Sequence, residues 1–223
     1  MQREDCVICT ERITVFAVTP CNHYGICYLC MFRNRVLYKK YDCPFCRKHC
    51  DTVVLTKKLD KFDKLNTPAP RYVLDQYGIR TNDQEVFKYL QFLLSFSCRV
   101  CGQQLRSKND LNMHMHRMHH LSFCRLCLEH EQAFITDLPV FTDDNLDRHM
   151  NEVDPTTSVK LHPYCEFCNT PFFNLEMLYQ HLNERHEQCK VCQRLSHGED
   201  VSYYKDYADL YQHFVKDHFV CTN

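Results

Sequence analysis

The chain has 223 residues, among them 17 cysteines, 14 histidines and no tryptophan. Its N-terminal sequence MQREDCVICTERITVF lacks the apolar core of a secretory signal, and no run of about 18 apolar residues is present that could span a membrane. Residues 1–97 carry 15 Lys and Arg against 10 Asp and Glu, whereas residues 98–223 carry 12 against 18. We therefore expect a cytoplasmic protein with no membrane partner, whose thiols stay reduced and free to bind metal.

Within the first 50 residues, seven of the eight cysteines and one histidine follow the order of a double metal site. They form four close pairs: Cys6 and Cys9, Cys21 and His23, Cys27 and Cys30, and Cys43 and Cys46. A C-x2-C pair supplies about half of a tetrahedral zinc shell, so the four pairs predict two closed, structural sites. A zinc ribbon, a LIM-like module and a PHD finger are the alternatives, which the histidine in fourth place disfavours.

This ligand order resembles the RING family, so we assign a RING domain to residues 1–50. The resemblance implies a cross-brace, in which one zinc ion is held by Cys6, Cys9, Cys27 and Cys30 and the other by Cys21, His23, Cys43 and Cys46. It also implies binding of an E2 ubiquitin-conjugating enzyme charged with ubiquitin. A RING has no nucleophile and acts by positioning the conjugate. The matching contact residues are Ile8, Pro44 and Arg47, and the forked guanidinium of Arg47 suits a bridge between E2 and ubiquitin.

These contact residues have alternative interpretations. Loop packing is the alternative for Ile8 and Pro44, and a solvated surface charge is the alternative for Arg47. Asn34 stands where many RINGs have tryptophan, which weakens the E2 platform or shifts it to Leu37, on a helix predicted over Tyr28–Tyr38.

Residues 51–97 separate the RING from the next cysteines. The segment TVVLTK predicts a strand, and KKLDKFDKLNTPAPRY predicts an irregular basic connector. A helix is predicted over Asp83–Phe96, and we expect its apolar face to pack on the first zinc finger. This face consists of Val86, Phe87, Leu90, Leu93 and Leu94. Cys50 fits neither RING site, and its neighbours do not form a set that would activate a thiol.

Three C2H2 zinc-finger patterns follow. Finger 1 (residues 98–120) has Cys98, Cys101, His114 and His119; finger 3 (165–187) has Cys165, Cys168, His181 and His186; finger 4 (188–223) has Cys189, Cys192, His213 and His218. Apolar residues occupy the small-core positions, for example Leu111 and Leu178. In finger 1, His116 and His120 are alternative ligands.

Finger 2 (residues 121–164) is irregular. Its pattern is Cys124-x2-Cys127-x21-His149-x12-His162, in which His162 is inferred by elimination and His130 competes with it. Together the motifs predict six Zn2+ sites and leave only Cys50 and Cys221 unassigned. The fold class is a series of small zinc-stabilised α+β modules, a cross-brace RING followed by four C2H2-type fingers.

The fingers lack the features of sequence-specific DNA readers. The residues at helix positions that would contact bases are Ser107, Asp110, Met113, Asn174, Met177 and Gln180, none of them Arg or Lys. The region is net acidic, which opposes binding to phosphates. Only two residues separate His162 from Cys165 and His186 from Cys189, so we expect adjacent fingers to fuse rather than follow a groove.

The order of modules resembles the E3 ubiquitin ligases that sense collided ribosomes. The supporting stretches include CVICTERITVFAVTPCNHYGICYLC, YGIRTNDQEVFKYLQFLLSFSC, HPYCEFC and DYADLYQHFVKDHFVC. The resemblance implies a ligase that ubiquitylates small ribosomal subunit proteins and triggers ribosome-associated quality control. A basic set in the connector is a candidate rRNA contact, with a solvated surface as the alternative: Lys57, Lys58, Lys61, Lys64 and Arg71. A non-catalytic zinc-finger protein that either binds RNA or DNA or acts as a scaffold is the competing hypothesis.

Overall fold

A four-stranded sheet joins the predicted RING to the segment that follows it. Strand β1 (Phe16–Val18) pairs antiparallel with β2 (Val53–Thr56), and β2 pairs in parallel with β4 (Ile79–Thr81). Strand β3 (Tyr72–Leu74) completes the sheet as the antiparallel partner of β4. This computed structural model describes residues 5–153, 160–195 and 202–218; Cys221 lies outside them.

The chain divides into two compact units. The first comprises Met1–His119 and Glu131–Pro139, and the second comprises His120–His130 and Val140–Asn223. A short stretch from within finger 2, residues 131–139, is therefore part of the unit that contains the RING.

The first unit has four helices and one 3-10 turn among its described residues. They are α1 (Tyr28–Val36), α2 (Phe62–Asn66), the 3-10 turn (Asp75–Tyr77), α3 (Gln84–Leu94) and α4 (Lys108–His119). Their main core combines residues of α1, the sheet and α3, including Phe32, Leu55, Ile79 and Leu90. The RING and the segment up to residue 94 thus share one hydrophobic core.

Helix α3 confirms the predicted helix but not its predicted partner. Asp83 caps it by accepting hydrogen bonds from the backbone N–H groups of Glu85 and Val86. The buried residues Val86, Leu90 and Leu93 pack into the RING core rather than on finger 1. The expectation of packing on finger 1 was wrong, because the parallel pairing of β2 and β4 returns the chain to the RING before α3 begins.

The connector is also more ordered than the sequence suggested. Phe62 in α2 is buried against Val18 and Val54, and its backbone N–H donates to Oδ1 of Asn22 at 2.7 Å. The sequence predicted an irregular connector because prolines and charged residues dominate this stretch. A single aromatic residue is too weak a signal to predict that the stretch packs on the sheet.

The second unit consists of short helices and two-stranded sheets. The helices are α5 (Arg125–His130), α6 (Asp143–Met150), α7 (Leu175–Arg185), α8 (Lys190–Leu195) and α9 (Tyr207–Asp217). The strands are β5 (Tyr164–Cys165) with β6 (Thr170–Pro171), and β7 (Glu187–Gln188) with β8 (Tyr203–Tyr204). Cores this small cannot supply much folding free energy, so metal binding has to contribute it.

Candidate zinc centres and the exposed face of the RING

The first RING centre lies where the N-terminal loop meets the start of α1. The sulfurs of Cys6, Cys9, Cys27 and Cys30 all lie within 4.8 Å of one another. The Cys9 and Cys27 sulfurs are 3.9 Å apart, and a tetrahedral ion with Zn–S bonds of about 2.3 Å would separate them by about 3.8 Å. Backbone N–H groups of Cys27 and Cys30 donate to the sulfurs of Cys6 and Cys27 at 3.4 Å. Burial acts to raise the pKa of Cys6, but backbone hydrogen bonds, the one from Cys27 first among them, outweigh it and lower the pKa to about 7, whereas burial raises the pKa of Cys27.

The second RING centre is formed by Cys21, His23, Cys43 and Cys46. Nδ1 of His23 lies 3.2 Å from the sulfur of Cys21 and 3.4 Å from that of Cys43. Burial acts to raise the pKa of Cys21, but hydrogen bonds with Thr19, whose Oγ1 is 3.1 Å away, and with His23 outweigh it and lower the pKa to about 6. The structure therefore pairs the first ligand pair with the third and the second with the fourth, the interleaving that a cross-brace requires.

Finger 1 brings its four predicted ligands together, two from the turn before α4 and two from α4 itself. These are Cys98, Cys101, His114 and His119, whose ligand atoms lie within 4.8 Å of one another. Nε2 of His119 is buried and has no hydrogen-bond partner among the described residues. A buried nitrogen without a partner costs free energy unless a metal binds it, so this site fits zinc. His116 and His120 are not in the group.

Finger 2 assembles despite its irregular spacing. Nε2 of His162 lies 3.5 Å from the sulfur of Cys124 and 3.4 Å from that of Cys127, and Nε2 of His149 lies 3.4 Å from Cys127. Zn–S and Zn–N bonds in a tetrahedral site imply about 3.5 Å between such atoms. His130 is not in this group; its ring lies against Phe173.

Fingers 3 and 4 repeat the same geometry. In finger 3 the sulfur of Cys165 lies 3.3 Å from Nε2 of His186, and that of Cys168 lies 3.3 Å from Nε2 of His181. In finger 4 the corresponding distances are 3.1 Å from Cys189 to His218 and 3.3 Å from Cys192 to His213.

The second ring nitrogen of several ligand histidines is also fixed. Nδ1 of His162 lies 3.2 Å from the carbonyl oxygen of Phe173, and Nδ1 of His186 lies 2.9 Å from that of Lys205. Nδ1 of His213 lies 2.8 Å from a carboxylate oxygen of Asp217. Such partners hold the tautomer that leaves Nε2 free for a metal. Sequence spacing could not reveal them, because two of the three are backbone carbonyls.

The exposed face of the RING contains the predicted contacts and two residues that sequence reasoning missed. Ile8 is 48% exposed, and Pro44 is also exposed. Val7 and Phe45, next to them in the same loops, are 60% and 45% exposed. Both approach Gly25: the N–H of Val7 donates to the Gly25 carbonyl at 3.1 Å, and a Cβ added to Gly25 would lie only 2.8 Å from Cζ of the Phe45 ring. The two metal-binding loops therefore meet at Gly25, and both expose apolar side chains.

Arg47 is exposed, whereas Asn34 and Leu37 at α1 are partly buried. Arg47 has a positive φ of 59°, and its backbone N–H donates to the Cys43 carbonyl at 2.8 Å. Its backbone is thus anchored at the end of the turn that contains Pro44. Asn34 is half-buried, and Leu37 packs partly against the RING core.

Cys50 is not suited to form a thioester. It is 2% exposed, and its sulfur lies 3.3 Å from the carbonyl oxygen of Lys48. Burial raises the pKa of this thiol to about 11, so it stays protonated at neutral pH. The RING contains no other cysteine outside the two ligand groups.

Together these features define a zinc-binding RING domain and small C2H2-type zinc modules. Residues 1–92 match the sequence model of the ZNF598 RING finger domain, and residues 185–223 match a C2H2-type zinc finger. No described helix is both long and apolar enough to cross a lipid bilayer.

The chain is similar over nearly its whole length to a group of RING-containing ubiquitin ligases. It is 36% identical to the E3 ubiquitin-protein ligase hel2 of Schizosaccharomyces pombe, over 97% of this chain and 30% of that protein. It is 34% identical to HEL2 of Saccharomyces cerevisiae, over 99% of this chain and 35% of that protein. Human ZNF598 is 35% identical over 97% of this chain and 24% of its own length.

These matches confirm the resemblance inferred from the motifs: the chain contains a RING domain of the ZNF598 type and is a homologue of the Hel2 and ZNF598 ligases. The chain spans about a third or less of the length of these relatives.

Proposed function

We propose that this chain is a RING-type E3 ubiquitin ligase that binds six zinc ions. The observation that supports ligase activity best is the set of exposed apolar side chains of Val7, Ile8, Pro44 and Phe45, which lie with exposed Arg47 in the loops of two interleaved ligand groups. Such a surface suits a protein partner, here the charged E2, and Arg47 would contact both E2 and ubiquitin. The reaction requires no nucleophile from this chain, since E2 supplies the thioester and the RING orients it.

The zinc ions would be structural. Two would lie in the RING at residues 1–50 and one in each of the four predicted fingers, held by the ligands described above. All six groups use four protein ligands, which leaves no open position for a substrate or a reactive water.

Single-turnover discharge of ubiquitin from a panel of charged E2 enzymes tests the ligase proposal. The wild-type chain should accelerate discharge of at least one E2, and Arg47→Ala should lower that rate about tenfold or more, with zinc content unchanged. Lys48→Ala is the matched control, since Lys48 is the adjacent exposed cation. Failure of the wild type with every E2 in a broad panel would refute ligase activity.

We further propose that the ligase acts on stalled, collided ribosomes in the cytoplasm and ubiquitylates small-subunit proteins. This part rests on the family resemblance and on the poor fit of the fingers to DNA. Ser107 and Asn174, at base-reading positions, instead accept backbone hydrogen bonds at 3.1 and 2.9 Å and cap their helices. Their side chains are already used within the fold.

The charges of the connector support only a limited rRNA contact. Nζ of Lys57 is 2.7 Å from a carboxylate oxygen of Asp83, and Lys64 pairs with Asp60 at 3.4 Å. The remaining exposed cations of that predicted set are Lys58, Lys61 and Arg71.

Sedimentation of cell extracts after induced ribosome stalling tests the ribosome proposal. The chain should become enriched on disomes relative to monosomes. Binding to naked RNA with an affinity that falls steeply as the salt concentration rises, in a chain that discharges ubiquitin from no E2, would instead favour the non-catalytic alternative. Active discharge without ribosome enrichment would refute only the ribosomal part.

A further inference from the structure

The long spacing in finger 2 gives rise to a segment that packs on the RING. Twenty-one residues separate Cys127 from His149, and residues 131–139, here called the insertion segment, belong to the same compact unit as the RING. Phe134, Ile135 and Leu138 in this segment are buried, each no more than 5% exposed. Apolar burial of this extent shows that the insertion segment is an integral part of that unit.

The insertion segment contacts helix α1 directly. The ring of Phe134 stacks on that of Phe32, with centroids 5.4 Å apart and planes 20° from parallel. Phe32 is fully buried, and both rings belong to the main RING core. Two backbone carbonyls of the segment, those of Ile135 and Leu138, accept hydrogen bonds from the guanidinium of Arg99. The segment is therefore held on α1 by ring stacking and is also anchored by the hydrogen bonds from Arg99.

A second contact lies at the surface. Nη2 of Arg33 donates to Oδ2 of Asp137 at 3.0 Å, with the two side chains 38% and 32% exposed. Arg33 precedes Leu37 by one helical turn, so the two residues are neighbours on the helix surface. Phe32 and Asn34, two residues apart, point in nearly opposite directions, because each residue turns an α-helix by about 100°.

We infer that the insertion segment is part of the E2-binding head, in which Phe134 supports α1 from the side opposite Asn34 and Asp137 fixes Arg33 beside Leu37. Phe134 and Asp137 are thus positioning residues for E2 binding. This inference rests on the proposed ligase function. It also accounts for the missing tryptophan at position 34: the partly exposed pair of Arg33 and Asp137, with Leu37, provides an alternative edge for the E2 platform.

Charge reversal across the Arg33–Asp137 pair tests the inference with the full chain. Ubiquitin discharge from the E2 that responds best to the wild type is measured against ligase concentration, which separates the half-saturating concentration from the limiting rate. Asp137→Arg should raise the half-saturating concentration about three- to tenfold, with the limiting rate within about twofold of wild type. Arg33→Asp should raise the half-saturating concentration to a similar extent. The double variant, Arg33→Asp with Asp137→Arg, should recover most of the affinity for E2.

Glu129→Arg is the matched control. Glu129 accepts a hydrogen bond from Arg125 at 2.9 Å, lies outside the insertion segment, and undergoes the same charge reversal. Its half-saturating concentration should equal that of the wild type. Zinc content and thermal midpoint are recorded for every variant.

The outcomes separate the inference from the proposed function. If the wild type discharges E2 but Asp137→Arg does not change the half-saturating concentration, the positioning role is refuted and ligase activity stands. If Asp137→Arg weakens discharge only in proportion to lost zinc or lost thermal stability, and the double reversal does not rescue it, the pair is merely structural and the inference is again refuted. A wild type that discharges no E2 refutes both.

Discussion

Gly78 offers a sharp test of whether the RING extends beyond residue 50. Its φ is +59°, and a Cβ at this position would lie 1.7 Å from the carbonyl oxygen of Asp51 and 2.9 Å from Nη1 of Arg35. That carbonyl accepts a hydrogen bond from Arg35 at 3.1 Å, and the Gly78 carbonyl accepts one from the N–H of Val53 at 2.8 Å. Gly78→Ala should therefore separate the end of the RING from strand β4.

The expected cost follows from these contacts. A left-handed conformation costs a residue with a side chain about 1–2 kcal/mol. Relief of the clash requires the Asp51 backbone to move by more than an ångström, because the opposing atom is a carbonyl and not a flexible side chain. Loss of the Arg35 hydrogen bond costs about 1.5–3 kcal/mol, and loss of the Val53 bond about 1 kcal/mol. The total is about 3.5–6 kcal/mol, a large share of the stability of a small domain.

Gly102→Ala is the control for backbone strain. Gly102 also has a positive φ, +74°, but a Cβ there would meet no atom within 4 Å. Only the conformational cost of about 1–2 kcal/mol remains. Both variants are compared with the wild type, zinc-loaded, by denaturant unfolding and by hydrogen exchange of the β2 and β4 amides. Equal destabilisation by the two substitutions, or unchanged exchange in β2 for Gly78→Ala, would refute a shared fold of RING and connector.

Two further substitutions test the metal and thiol assignments. His162→Ala should lower the zinc content by one ion per chain, and the control His130→Ala should leave it unchanged. Mass spectrometry under native conditions measures the zinc content. Zinc loss only in the His130 variant would contradict the finger 2 ligand set. Cys50→Ser should leave the rate of ubiquitin discharge from E2 within about twofold of wild type, because the thiol is buried and protonated at neutral pH. A ubiquitin thioester that forms on the wild-type chain but not on this variant would contradict catalysis by positioning.

Sequence spacing predicted well those features that depend on local geometry. Cysteines with two residues between them share one turn, and the histidines of a regular finger lie on one helix, so their proximity follows from the chain itself. Helix α3 was also predictable, since its apolar residues recur with helical period and Asp83 supplies a side-chain cap.

Features that depend on long-range packing could not be predicted in this way. The parallel pairing of β2 with β4 brings Val53 opposite Ile79. Both strands are short, and neither carries a local signal that specifies its partner. The same holds for Phe134: an apolar residue in a long finger insertion looks like loop sequence, although it is only 4% exposed and stacks on Phe32.

The short joins between fingers 2, 3 and 4 now have a physical explanation. His162 in finger 2 directs Nε2 to its own cysteines and Nδ1 to the Phe173 carbonyl of finger 3, while His186 in finger 3 does the same with the Lys205 carbonyl of finger 4. Each of these histidines therefore orders two modules at once. A longer, flexible linker would leave Nδ1 without a fixed partner and weaken the hold on the ligand tautomer. Zinc loss from finger 2 should consequently loosen the backbone of finger 3 near Phe173, because the imidazole that holds it would no longer be fixed by metal.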